Sequence, residues 1–175
     1  MKKSILFAIM LFFISACGTL QQDVNLTKTG ELYTTDDGVS FYYPKDYEVT
    51  VSGNINSVDN VKMVEFTKDD NTLYFTVIND QSDNMVSDKD ELYTGLLEQG
   101  QASNIEVMKP VVDSGLDVYE YIYEDDKTGI KSKEIVYFLE DVIYIYGYRS
   151  IKDVFNENEE DMTVYLESFS MNAGK

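Results

Sequence analysis

The chain has 175 residues with 32 acidic and 14 basic side chains, a formal charge of −18, one cysteine, no histidine and no tryptophan. Without histidine, Ser-His and Cys-His catalysis and His-ligated metal sites are excluded; a single cysteine allows no disulfide within the chain, so the fold must hold by packing. Acidity of this size disfavours nucleic acid, which is recognised by Lys and Arg on phosphates, and favours solubility, cations or a basic partner.

The first element is a leader. Lys2 and Lys3 precede an apolar run from Ile5 to Ile14, and Ser15-Ala16 lead into Cys17. This is the pattern of a cleaved secretion signal, and the run is too short to span a bilayer comfortably. Ile14-Ser15-Ala16-Cys17 also resembles a bacterial lipobox. That resemblance implies cleavage after Ala16 and a diacylated Cys17 at the new N-terminus, palmitate-type chains giving the two-chain anchor that holds stably in a membrane. The expectation is a lipid-anchored protein on the extracytoplasmic face of the cell membrane. An ordinary signal peptide with a chance cysteine and an uncleaved anchor are the alternatives. Removing residues 1–16 from 175 leaves 159, one domain's worth, and losing Lys2 and Lys3 takes the charge from −18 to −20.

Residues 17–30 form the anchor and a polar tether ending at Gly30, and residues 31–175 read as a single domain. Period-two segments predict strands near 31–35, 38–43 and 46–52, then 61–68 and 71–79 flanking an Asp69-Asp70-Asn71 turn. A helix is expected at 88–101, with Asp88 and Glu91 as a capping box and Leu92, Leu96 and Leu97 as its apolar stripe. Four strands follow, near 105–112, 116–125, 130–139 and 142–149, joined by short turns that argue for antiparallel pairing. The last helix, 156–169, places Met162, Tyr165, Leu166 and Phe169 on one side, with Glu157, Glu159 and Glu160 at the positive end of its dipole.

Gly38-Val39-Ser40-Phe41 with Tyr43-Pro44, leading into Tyr47-Glu48-Val49, opens a layout of meander, helix, longer meander and final helix ending in Ser168-Phe169. That layout resembles the PsbP-like fold, found in extrinsic photosystem proteins and in many bacterial lipoproteins. The resemblance covers residues 31–171. It implies an α+β fold, an antiparallel β-sheet sandwiched by two helices, and a family that includes non-catalytic assembly and binding proteins. It carries no functional residue onto a position of this chain.

The richest candidate surface is aromatic. Tyr119, Tyr121 and Tyr123 alternate along one predicted strand, and Tyr144, Tyr146 and Tyr148 along another. If their faces coincide, with Tyr137 or Phe138 between them, a tyrosine surface forms that suits peptide, glycan or protein recognition. The other reading is a helix-covered face whose aromatic pairs stabilise the sheet. For metals, Asp80, Ser82, Asn84, Asp88 and Glu91 follow calcium-loop spacing, but Met85 stands where the tight turn wants glycine and capping already explains Asp88 and Glu91. No resident cofactor is expected, calcium being the one metal this spacing would admit. The run Asn156 to Asp161 reads as a solvated helix start or a patch for a basic partner. Arg149, the sole arginine, is expected to pair with a carboxylate.

These readings point to a non-enzymatic, membrane-anchored surface lipoprotein that binds or assembles a protein or peptide partner. Its alternatives are an immunity or exclusion lipoprotein sequestering a cationic peptide, and a carboxylate-only envelope hydrolase. The leader fragment Ala8 to Ala16 also resembles the peptide pheromones that some Gram-positive bacteria release from lipoprotein signals.

Overall fold

The computed structural model describes residues 25–36, 38–54, 61–79, 94, 103–108, 117–125, 127–139 and 142–171. Two antiparallel sheets and a long helix make up this part. A one-turn helix α1 (Leu26–Thr29) leads into β1 (Gly30–Thr34) and β2 (Val39–Pro44). Then come β3 (Glu48–Asn54), β4 (Val61–Lys68) and β5 (Asn71–Asn79), the first meander. The second comprises β6 (Ser103–Met108), β7 (Asp117–Glu124), β8 (Ile130–Leu139) and β9 (Val142–Ile151), followed by α2 (Lys152–Leu166) and a short β10 (Ser170–Met171).

Seven strands pair in the order β3-β4-β5-β9-β8-β7-β6, so the two meanders join through β5 and β9. The central strands β5, β8 and β9 each hold runs of consecutive buried residues, on both faces. Polar–apolar alternation, the mark of a half-exposed strand, is therefore lost at the middle of the sheet.

A second sheet, β1-β2-β10, was not expected from the sequence, which predicted one antiparallel sheet. The reason for the split is aromatic packing. Phe41 on β2 lies 4.4 Å from Tyr146, 4.9 Å from Phe75 and 5.9 Å from Phe66, ring centre to ring centre, so β2 lies over the main sheet instead of extending it. Burying such a ring is worth roughly 1.5–3 kcal/mol. The small sheet and α2 thus share one face of the large sheet, through Val39 and Phe41 on one side and Phe155, Tyr165 and Leu166 on the other.

Helix α2 begins four residues earlier than the acidic run suggested, because β9 passes into it without a loop. Ile151 is its N-cap and has no capping side-chain bond; only Asp153 is an acid of the first turn. The Lys152 amide, which would otherwise lack a partner, donates to the Gly129 carbonyl at 3.3 Å. The run Asn156 to Asp161 therefore lies within the helix, away from its positive end. At the other end, Phe169 sits beyond the last turn and stacks on Tyr137 at 3.9 Å. Ser168 Oγ accepts from the Tyr42 amide at 2.8 Å and donates to the Tyr165 carbonyl at 2.6 Å, pinning the helix end to β2.

The two-helix sandwich is met by α2 on one face. The predicted helix 88–101 lies outside the described residues except Thr94, which is helical. No helix among the described residues is long and apolar enough to cross a membrane.

Candidate binding cleft

Registers decide where the tyrosines point. Tyr121 pairs with Glu134, and Glu134 with Gly147; Tyr137 pairs with Val118 and with Tyr144. Tyr119, Tyr121 and Tyr123 therefore share a face with Glu134, Gly147 and Arg149, whereas Tyr144, Tyr146 and Tyr148 share the opposite face with Ile135 and Tyr137. The coincidence that a single tyrosine surface required does not occur. Five of the six residues are buried, and Tyr123 is half-buried. Tyr144, Tyr146 and Tyr148 belong to the core beneath α2 and the small sheet, Tyr119 and Tyr121 to a second cluster with Val136, Phe138 and Ile143. Cys17 and the calcium-spacing positions Asp80, Ser82, Asn84, Asp88 and Glu91 lie outside the described residues. Among the described residues no group of three or more carboxylates is placed to hold a metal ion.

On the face carrying Tyr123, the sequence reading missed a buried carboxylate. Glu134, 7% exposed, accepts hydrogen bonds from Tyr123 at 2.8 Å and from Tyr74. Burial raises its carboxyl pKa, and the tyrosine hydrogen bonds and Arg149 partly offset that. Arg149 pairs with Glu65, as expected of it, and its guanidinium lies 5.2 Å from the Tyr74 ring centre. Two signals could have revealed this cluster: an acid beside the apolar run Ile135 to Leu139 of β8, and Gly147 in the interior of β9, where a strand glycine marks a close approach. On the opposite face Lys133 reaches Glu120 at 3.4 Å and Glu159 at 3.7 Å, so part of the acidic run is committed to the sheet.

The open site is a cleft of about 820 Å³ between α1, the end of β2, the β4–β5 turn and α2. Pro44 stops β2, and its carbonyl accepts from the Tyr47 amide at 3.0 Å, which turns Tyr47 inward. The Lys45 amide donates to the Thr29 carbonyl at 3.1 Å and Tyr165 to Thr29 Oγ1 at 2.9 Å, fixing α1 to the rim. Asp69, with φ 50°, makes the sharp turn that carries Lys68 and Asn71 to the opposite wall. Lys68 pairs with Asp46 and thereby holds its carboxyl below the usual range. Tyr47 is 8% exposed; its hydroxyl donates to the Met162 sulfur at 3.9 Å, and burial raises its pKa above the ordinary tyrosine value.

The cleft thus offers ammonium and phenol donors, carboxylate and amide acceptors, and a Tyr–Met floor. Its volume falls within the roughly 300–1,000 Å³ typical of ligand sites. Its walls come from residues 25–29, 44–47, 68–71 and 158–165, which no local motif would have connected.

No family model and no curated protein matches the chain. Among solved structures it is similar to the cyanobacterial PsbP protein CyanoP from Synechocystis sp. PCC 6803, with 17% identity and TM-score 0.58, over 82% of this chain and 92% of that one. Weaker likenesses are to PA94, a protein of unknown function from Pseudomonas aeruginosa (10% identity, TM-score 0.44, 83% of this chain and 99% of that one), and to a protein from Bacteroides thetaiotaomicron (14%, 0.46, 82% and 49%). The likeness to CyanoP shows a PsbP-like fold.

Proposed function

We propose that this PsbP-like protein is a non-enzymatic binding or assembly module, tethered by lipid on Cys17 to the extracytoplasmic face of the cell membrane, that receives a protein or peptide partner in the cleft. The observation that carries this reading is the position of the cleft where the tether joins the fold. Asn25 and Lys28 line it, and Cys17 is eight residues before Asn25. An extended chain covers at most about 3.6 Å per residue, so the rim stays within roughly 30 Å of the anchor. A cleft held at that height meets partners in or on the membrane.

A second reading, sequestration of a cationic peptide, is favoured by the outer side of α2, where Asp153, Glu157 and Glu160 are exposed. Like-signed charge on a tethered body raises the local concentration of a basic ligand and is screened by salt.

Photo-crosslinking from position 45 in intact cells tests both readings, with the native chain compared with Cys17→Ser. The assembly reading expects a discrete partner captured by the anchored form alone. Capture by both forms that disappears in high salt would favour sequestration, and no captured species from either form would overturn both.

A further inference from the structure

We infer that the cleft recognises a short extended peptide segment carrying both signs of charge, an inference that rests on the cleft being the docking site. Its lining is divided between spent and unspent charge. Lys68 and Asp46 neutralise one another, whereas Lys28, Lys45, Asp69 and Asp161 take part in no ion pair among the described residues. The two lysines are neighbours at the tether side, because the Lys45 amide bonds to the residue after Lys28. The two aspartates come from the β4–β5 turn and from α2.

Chemistry then selects the occupant. A purely acidic segment meets Asp69 and Asp161 and the repulsion of a chain at −18, and a purely basic one meets Lys28 and Lys45. A segment with an acidic and a basic side chain can use both pairs, and like charges placed against the wrong partner are rejected. The Tyr47 hydroxyl supplies a third element. It is buried against the floor, and its acceptor is a thioether sulfur at 3.9 Å, a weak acceptor that leaves the phenol available to a peptide carbonyl. The half-buried Met162 beside it is the kind of side chain that adapts to different apolar neighbours.

The test uses the full chain in detergent and three capped hexapeptides: one with two lysines and two glutamates at opposite ends, one oligolysine and one oligoglutamate. Calorimetry is expected to rank the mixed peptide first, by about fivefold or more over either homopolymer, the size of one good exposed ion pair. Lys45→Glu and Asp161→Lys should each remove that preference. Lys62→Glu, the same charge change on an exposed β4 residue outside the cleft, should leave it intact. Tightest binding of oligolysine with equal responses to Lys45→Glu and Lys62→Glu would overturn the inference, as would no binding of the mixed peptide. In either case a partner crosslinked in cells from position 45 would leave the docking reading standing and reject only the ligand class.

Discussion

Tyr74 lies directly over Gly147, its cross-strand neighbour, so closely that a β-carbon at position 147 would stand 2.6 Å from the phenolic oxygen. The missing side chain is what lets Tyr74 reach Glu134, and the most buried polar cluster on this face depends on it.

Gly147→Ala should therefore displace Tyr74 and destabilise the fold by about 1–3 kcal/mol, the usual cost of overfilling a packed site. Urea denaturation would show a lower midpoint with an unchanged slope. In a Tyr74→Ala background the cost should largely vanish, and an equal cost in both backgrounds would disprove the coupling.

Glu134 should make stability pH-dependent in the acid-to-neutral range. Its pKa in the folded chain is raised from 4.5 by burial, so the native state binds this proton more tightly than the unfolded chain does. The resulting stability is fully present below pH 4.5 and is lost as pH rises through the folded-state value. Glu134→Gln removes that titration, while its side-chain oxygen can still accept from Tyr74 and Tyr123. Melting temperatures measured from acid to neutral pH should fall less steeply for the variant; parallel curves would show that Glu134 does not contribute the slope.

A phenol bonds the two sheets to each other. Tyr146, fully buried on β9, donates to the Tyr42 carbonyl on β2 at 2.7 Å. Tyr146→Phe keeps the ring packed against Phe41 but leaves that carbonyl short of a donor, at a cost of about 1–3 kcal/mol. Hydrogen exchange should show faster opening of the Tyr42 to Pro44 segment, and an unchanged exchange rate would assign the bond no part in docking β2.

Alkali should unfold the protein cooperatively. Burial pushes the Tyr74 and Tyr146 hydroxyls well above the ordinary value of 10, so these groups stay protonated in the folded chain. Their stabilising contribution is complete below pH 10 and is lost above it, when the unfolded chain ionises first. A near-ultraviolet titration should separate exposed tyrosines, ionising near 10, from a group that ionises only with loss of the fold. One smooth titration with the fold intact would contradict this.

At the β4–β5 turn, Asp69 holds φ 50°, a left-handed conformation that glycine adopts more readily. Asp69→Gly should raise the denaturation midpoint, by up to about 1 kcal/mol in stability. A lower midpoint would show that the carboxylate, not the backbone conformation, matters most at this position.

Much of this architecture is legible along the chain. All nine predicted strands lie within a few residues of observed ones, because turn chemistry at Asp69-Asp70-Asn71 and at Asp125 to Gly129 is local, and so is period-two patterning. Helix α2 was legible in its apolar stripe but not in its start, since a strand running straight into a helix leaves no turn signal at Ile151. The cleft was not legible, because its four walls are far apart in sequence and meet only when α2 and α1 close over the β4–β5 turn.

The tyrosines divide the two levels most clearly. Alternation along β7 and β9 places Tyr119, Tyr121 and Tyr123 together, and Tyr144, Tyr146 and Tyr148 together, without any knowledge of neighbours. Which side of the sheet each set occupies depends on the pairings Tyr121 to Glu134 and Glu134 to Gly147 across two turns. A shift of one residue at either turn would have reversed one set, because a strand's side chains change face with every residue. That parity is set when the strands pair, and it sends one set of tyrosines beneath α2 and the small sheet and the other to the opposite face.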